Sequence, residues 1–139
     1  MSAEADLELG RTIDLAGDQR RSVEEERRPS ILDDQALVLR LRDQGLVVLS
    51  GCGHAGIVNT VRYAQKLTGE QRIAAVIGGF HLSGPMFETI IAPTVDALSE
   101  LSPGLLAPAH CTGWKAVHRL AAAFPDAFVQ ATVGMTIEL

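Results

Sequence analysis

The chain has 139 residues, of which 47% are hydrophobic, and a formal net charge of −5 at pH 7. This length predicts a single domain with a hydrophobic core, and the short apolar runs exclude the roughly 18 to 20 consecutive apolar residues of a membrane span. The acidic balance, without a sustained basic stripe, excludes a nucleic-acid backbone as the main partner and leaves small molecules or other proteins.

The N-terminal region, residues 1–30, is rich in charge and shows little apolar periodicity. This composition predicts a poorly packed arm, either a solvated or frayed terminus or, as the alternative, a segment that docks on a partner. Residues 31–139 are the predicted folded domain.

The first residues and the cysteines indicate the compartment. No basic stretch followed by an apolar one opens the chain, so we expect no secretory signal and a cytoplasmic protein. Cys52 and Cys111 lie far apart and each follows a strand-like run, which favours reduced thiols over a disulfide scaffold.

The apolar pattern of residues 31–139 alternates between strand and helix periods. We predict strands at 36–41, 46–50, 73–77, 105–108, 128–131 and 135–139, and helices at 57–67, 86–100 and 113–123. The first two strands should form a hairpin, and Pro93 should kink or split the second helix. Strands joined by helical crossovers should be parallel, with right-handed crossovers, so the predicted fold is a mixed α/β sheet with helices.

Histidines follow three of these strands at the point where each strand ends. His54 follows the second strand, His81 the third and His110 the fourth. Because the carboxyl ends of parallel strands meet at one edge of a sheet, we predict that these imidazoles share a metal site. The alternative for each histidine is a separate helix cap or a hydrogen bond to backbone. His118 lies within a predicted helix and is interpreted as an ordinary surface or core residue.

The residues around these histidines suit sharp loops, because glycine permits backbone conformations that other residues avoid. The predicted loop and backbone positions of the site are Gly51, Gly53, Gly56, Gly78, Gly79, Thr112 and Gly113. Cys52 and Cys111 lie close to histidines, and adjacent residues rarely point the same way. We therefore predict packing or supporting roles for the two cysteines rather than metal ligation.

The turn at residues 51–56 also matches the Gly-x-Gly-x-x-Gly fingerprint of dinucleotide-binding proteins. That fingerprint needs an acidic residue at the end of the following strand, where this chain has Gly78 and Gly79. We interpret the match as false, although the helix N-terminus at residues 55–57 could still accept a phosphate. Asp33 and Asp34 are interpreted as capping a turn.

Three segments in order, preceded by the residues at 33–37, resemble the metallo-β-lactamase-fold hydrolases. The segments are GCGHAGIVNT at 51–60, IGGFHL at 77–82 and PAHCTG at 108–113. They are most similar to the dihydropterin ribofuranosyl-aminobenzene phosphate synthase-like group. The resemblance implies half of an αβ/βα sandwich and a divalent metal, zinc with iron or manganese as alternatives. It also implies that a metal-activated water attacks a phosphate or ester-type bond.

The resemblance also implies individual ligands. His54 matches a histidine of the first metal position, and His110 matches a late histidine of the second. His81 falls near the place where many relatives carry a bridging aspartate. The His-x-His-x-Asp-His motif of the family's N-terminal half is absent, and no histidine precedes His54.

The absent motif implies an incomplete metal site, because zinc needs three or four protein ligands. It also implies a sheet face left as an exposed apolar patch. We therefore expect a homo-oligomer or a separate N-terminal-half polypeptide to complete the site, and a small-molecule substrate. The alternatives are a non-catalytic binding or assembly module for a pterin-like or phosphorylated ligand, and a truncated remnant.

Overall fold

A computed structural model of the protein describes residues 8–14, as backbone, and residues 34–139. The described residues form one mixed sheet and three helices. In chain order the elements are β1 (Glu8–Asp14), β2 (Gln35–Leu41), β3 (Gly45–Ser50), α1 (Ile57–Thr68), β4 (Ile73–Gly78), α2 (Pro85–Leu101), β5 (Leu105–Pro108) and α3 (Trp114–Ala123).

The sheet has the strand order β1-β2-β3-β4-β5. The pairs β1/β2 and β2/β3 are antiparallel, which confirms the predicted hairpin, and the pairs β3/β4 and β4/β5 are parallel, as the crossover helices predicted. The mixed α/β fold is therefore confirmed. Because β3, β4 and β5 run in the same direction, the loops that follow them emerge at one edge of the sheet.

The core lies between the sheet and the helices. Val38, Val48, Val76 and Leu106 occupy successive strands in register and are buried on the same face. The helices cover this face with apolar side chains, chiefly Ile57, Val61, Ala64, Ile91, Leu98, Ala116 and Leu120. Burial of such a face is the main term that stabilises the fold. None of the helices in the described ranges is long and apolar enough to cross a membrane.

The second face of the sheet also carries apolar rows, because side chains alternate along each strand. One row runs Leu39, Val47, Ala75, Leu105, and the next runs Leu37, Leu49, Ile77, Ala107. Val47, Ala75 and Ala107 are buried, and the other five are partly buried. The two rows form an apolar surface that is only partly exposed, so the exposed patch that the resemblance implies stays a prediction.

Three local features differ from the sequence predictions. Within the predicted N-terminal arm, residues 8–14 form β1 and pair with β2, while 1–7 and 15–30 lie outside the described residues. The helix α2 continues through Pro93, so of the two predicted alternatives the split is wrong. The strands predicted at 128–131 and 135–139 are wrong, because only an isolated bridge joins Phe128 to Leu106 and a turn follows near Gly134.

Glu70 and Arg72 form a hydrogen-bonded ion pair in the loop before β4, at the sheet edge away from the histidines. The Glu70 carboxylate accepts hydrogen bonds from the Arg72 backbone N–H (3.0 Å) and guanidinium (3.1 and 3.2 Å). The side-chain hydrogen bond from Arg72 is the largest cause that lowers the pKa of Glu70 from 4.5 to about 2. Hydrogen bonds to the charged form of a carboxyl favour that form.

We expect a carboxyl NMR titration of Glu70 to show a midpoint of about 2. The depressed pKa means that the contribution of Glu70 to stability is present above its ordinary value and is lost as the pH falls toward 2. Arg72→Gln should move the midpoint back toward 4.5, the ordinary value. A midpoint near 4.5 in the unaltered chain would contradict this assignment.

Candidate metal centre

The loops after β3, β4 and β5 are bonded to one another through their backbones. Gly79 N–H donates to Gly51 O (3.3 Å) and Ala109 N–H donates to Gly78 O (2.7 Å). The Leu82 N–H donates to Cys111 O across 3.2 Å. The three histidine-bearing loops therefore form one connected surface at the carboxyl edge of the sheet, as predicted.

His54 and His81 lie beside each other in this surface. Their ring centroids are 4.4 Å apart and the rings are nearly perpendicular, at 82°. The Cys52 Sγ lies 3.7 Å from His81 Nδ1. One potential ligand atom from each of Cys52, His54 and His81 lies within 4.8 Å of the others, and all three residues are partly buried. These atoms form the first ligand group.

His110 belongs to a second ligand group. Its donor atom lies within 4.8 Å of the Cys52 and Cys111 sulfurs, and its side chain is exposed. The structure therefore divides the predicted histidines between two adjacent groups, with Cys52 common to both. His118 lies in α3 beside Trp114, with ring centroids 5.8 Å apart, and belongs to neither group.

The two thiols lie close together although 59 positions separate them in the chain. The Cys52 and Cys111 sulfurs form a hydrogen bond of 3.2 Å, and no disulfide joins them. Cys111 Sγ also accepts the His81 N–H (3.2 Å) and donates to Cys52 O (3.0 Å). Both cysteines thus lie among the potential ligands, whereas the sequence predicted packing or supporting roles for them.

In each group, one pair of potential ligand atoms is close enough to bind a single ion. Zinc bonds sulfur at about 2.3 Å and imidazole nitrogen at about 2.0 to 2.1 Å, so two ligands on one ion lie at most about 4.4 to 4.6 Å apart. The measured separations, 3.7 Å from Cys52 Sγ to His81 Nδ1 and 3.2 Å between the sulfurs, fall inside this limit. The donor set of imidazole and thiol is one that zinc accepts.

The environment of His81 favours its neutral form. Burial lowers the pKa of this imidazole first, the neighbouring His54 lowers it further, and Asp34 opposes both effects. Neutral imidazole is the form that binds metals. His81 also has a positive φ of 49°, which is unusual for a residue other than glycine, and its ring packs against Phe87 with centroids 4.8 Å apart.

Asp34 organises the loop that carries His54. Its side chain is 4% exposed, and its two carboxylate oxygens accept the backbone N–H groups of Gly53 (3.1 Å) and Ala55 (2.7 Å). The sequence predicted only a local turn cap, whereas the bonds reach 19 and 21 residues along the chain. Of the N–H groups at residues 55–57, that of Ala55 is therefore occupied by Asp34, and that of Gly56 donates to Gly53 O.

The predicted backbone positions all lie in or beside these loops. They are Gly51, Gly53, Gly56, Gly78, Gly79, Thr112 and Gly113. Gly53 has φ +78° and lies so close to Gly79 that an added Cβ would meet its carbonyl oxygen at 2.6 Å. Thr112 is fully buried, and its hydroxyl has no hydrogen-bond partner among the described residues.

We expect Gly79→Ala to destabilise the protein by about 1 to 3 kcal/mol, the usual cost of overpacking. A Cβ at this position would meet Cys111 Sγ at 2.7 Å, and Cys52 Cα and Gly51 O at 2.9 Å. Urea unfolding would measure the effect. The unaltered chain is the reference. An unfolding midpoint equal to that of the unaltered chain would contradict the predicted clash.

A cleft of about 320 Å³ opens beside the first ligand group. Its lining combines His54 and His81 with mainly apolar side chains, among them Ile57, Leu82, Phe87, Ile90 and Ala97. Small-molecule sites are typically apolar clefts of this size with a few polar groups that converge on one point. The arrangement can therefore hold an apolar part of a ligand next to the imidazoles.

No family model matches the chain. Among curated proteins, it is 35% identical over 107 residues to the 7,8-dihydropterin-6-methyl-4-(beta-D-ribofuranosyl)-aminobenzene-5'-phosphate synthase of Methanocaldococcus jannaschii. The aligned region covers 77% of this chain and 36% of that protein. It is also 38% identical over 74 residues to an uncharacterized protein of the same organism, covering 53% of this chain and 27% of that one. The chain spans about a third of the length of these curated relatives.

The fold has a solved counterpart. The crystal structure of a metal-dependent hydrolase of the β-lactamase superfamily matches with a TM-score of 0.69 and 36% identity, over 83% of this chain and 44% of that one. The match supports a divalent metal as the cofactor class. The resemblance predicted from the three loop motifs is thus confirmed, and the chain is similar in sequence and in fold to part of the metallo-β-lactamase-fold hydrolases.

Proposed function

We propose that this chain forms part of the active site of a metal-dependent hydrolase that cleaves a phosphate or ester-type bond of a small molecule. The observation that carries the proposal is the meeting of three loops that bring His54, His81 and His110 to one edge of the sheet beside an apolar cleft. The similarity to a metal-dependent hydrolase supports the same class of reaction.

In this proposal His54 and His81 hold a divalent metal, with zinc as the first candidate, and His110 serves a neighbouring position. Bound there, the metal acts as a Lewis acid on the scissile bond and increases the acidity of a water molecule. Two other residues of the chain orient the histidine ligands. Asp34 accepts hydrogen bonds from the loop that carries His54, and Phe87 packs against the His81 ring. In this proposal the apolar cleft beside the imidazoles receives the substrate.

Further ligands come, in this proposal, from a second copy of the chain or from a separate polypeptide that corresponds to the N-terminal half of the relatives. Supporting this, His110 is exposed and catalytic zinc is normally held by three protein ligands in fixed geometry. The apolar rows on the second face of the sheet offer such a partner a surface. We place the protein in the cytoplasm, where reducing conditions keep Cys52 and Cys111 as thiols.

The first test is elemental analysis of the purified chain after loading with zinc, together with its mass in solution. The proposal expects bound zinc, and hydrolysis of an activated aryl phosphate or ester that stops on chelation and returns when zinc is restored. The affinity of the chain for zinc should fall in the variants His54→Ala and His110→Ala. A chain that retains no metal after loading, whatever its oligomeric state, would contradict the proposal.

The apolar cleft favours a second candidate function, a module that binds a pterin-like or phosphorylated molecule without turnover. The two functions differ in their dependence on metal. Binding of a pterin to the metal-free chain, measured by fluorescence and unchanged in His54→Ala, would favour the binding module. Binding or turnover that needs both zinc and His54 would favour the hydrolase.

A further inference from the structure

The two thiols at the centre of the candidate metal centre have no role in the proposed histidine site. Cys52 Sγ lies within 4.8 Å of potential donor atoms in both ligand groups, whereas every histidine belongs to one group only. Its measured contacts are 3.7 Å to His81 Nδ1 and 3.2 Å to Cys111 Sγ. Both are short enough for the paired atoms to bind one ion.

We infer that Cys52 is a metal ligand, a thiolate that binds the same ion as His54 and His81. This inference rests on the proposed metal site and deepens it by naming a third donor and the class of ion. Cys52 and His54 are separated only by Gly53, whose positive φ reverses the local backbone, and their donor atoms lie in one group. The loop held by Asp34 thus contributes two ligands.

Cys111 differs from Cys52 in its surroundings. Its sulfur lies 3.0 Å from the carbonyl oxygen of Cys52, to which it donates a hydrogen bond. Cys111 also accepts the His81 N–H and touches the Cys52 sulfur, so it acts as a positioning residue for both ligands.

A thiolate ligand changes which metal the site prefers. Soft sulfur donors select zinc and similar ions, while sites of oxygen donors suit manganese and magnesium. A centre with one thiolate and two imidazoles therefore favours zinc over manganese, which the histidines alone do not decide. Cobalt(II) is a suitable probe because it occupies zinc sites and reports thiolate ligands through absorption.

The test is titration of the full 139-residue chain with cobalt(II) in the presence of a phosphine reductant. The inference expects an intense thiolate-to-cobalt charge-transfer absorption in the near ultraviolet, besides the weaker visible bands of the ion. Cys52→Ser should abolish the charge-transfer absorption and weaken cobalt binding by about 10-fold or more. Cys111→Ser is the matched control: it should retain the absorption, because a serine hydroxyl can still accept the His81 N–H.

A measurement on the unaltered chain guards against variants that fold poorly. Bound zinc should slow the alkylation of Cys52 by iodoacetamide by about 10-fold or more, as followed by peptide mass spectrometry. Visible cobalt bands without charge-transfer absorption, or absorption lost in Cys111→Ser and kept in Cys52→Ser, would overturn the inference while leaving the histidine site in place. Charge-transfer absorption with unchanged cobalt affinity in His54→Ala would support the thiolate and count against the proposed hydrolase site. No cobalt binding at all would overturn both.

Discussion

Replacing His54 with alanine is expected to weaken zinc binding by about 100-fold or more. Loss of a partner that only orients a metal ligand already costs about 10- to 100-fold in affinity, so loss of a ligand should cost at least the upper end of that range. His54 is partly buried, and its ring lies 4.4 Å from that of His81. Competition with a zinc-sensitive chelating dye would measure the change.

His118→Ala is the matched control for this experiment. His118 is the remaining histidine of the chain; it is exposed on α3, and its nearest ring is that of Trp114. Its replacement should leave zinc affinity unchanged within error. If His54→Ala and His118→Ala bind zinc equally well, then the meeting of the strand-end loops does not create a metal site, and the hydrolase proposal loses its main support.

The second large effect is expected for Asp34→Ala, which should destabilise the fold by about 3 kcal/mol. The substitution removes the acceptor of two backbone hydrogen bonds, from Gly53 and Ala55, and a buried donor left without a partner costs about 1 to 3 kcal/mol. The Asp34 side chain is 4% exposed, so water cannot easily replace it. Urea unfolding followed by circular dichroism would measure the difference in free energy.

Two further variants separate the hydrogen bonds from the loss of charge. Asp34→Asn keeps one oxygen acceptor, so it should be less destabilising than Asp34→Ala. Asp96→Ala removes an exposed carboxylate on α2 and should change the free energy of unfolding by less than about 0.5 kcal/mol. Since Asp34 holds the loop of His54, Asp34→Ala should also weaken zinc binding. A free energy of unfolding of Asp34→Ala equal to that of Asp96→Ala would contradict the role of Asp34 in the loop.

Local patterns explain the parts of the fold that could be predicted. The hairpin β2/β3 and the parallel strands β4 and β5 follow from apolar runs and from the helices between them. The strands predicted at 128–131 and 135–139 were wrong because their apolar residues suit a strand locally but find little of the sheet to pair with. The strand β1 was missed because charged residues interrupt its apolar pattern, while its pairing with β2 depends on contact across the chain.

By itself, then, the sequence determined that three histidines follow parallel strands and must meet at one edge of the sheet, because strand direction and crossover helices are local properties that act together. Only the tertiary structure decided which donors come together there. Cys52 and Cys111 are 59 residues apart in the chain yet touch in the fold, and Asp34 reaches across 19 residues to the His54 loop. Such contacts depend on how loops pack against one another, and no periodicity or spacing in the chain records that packing.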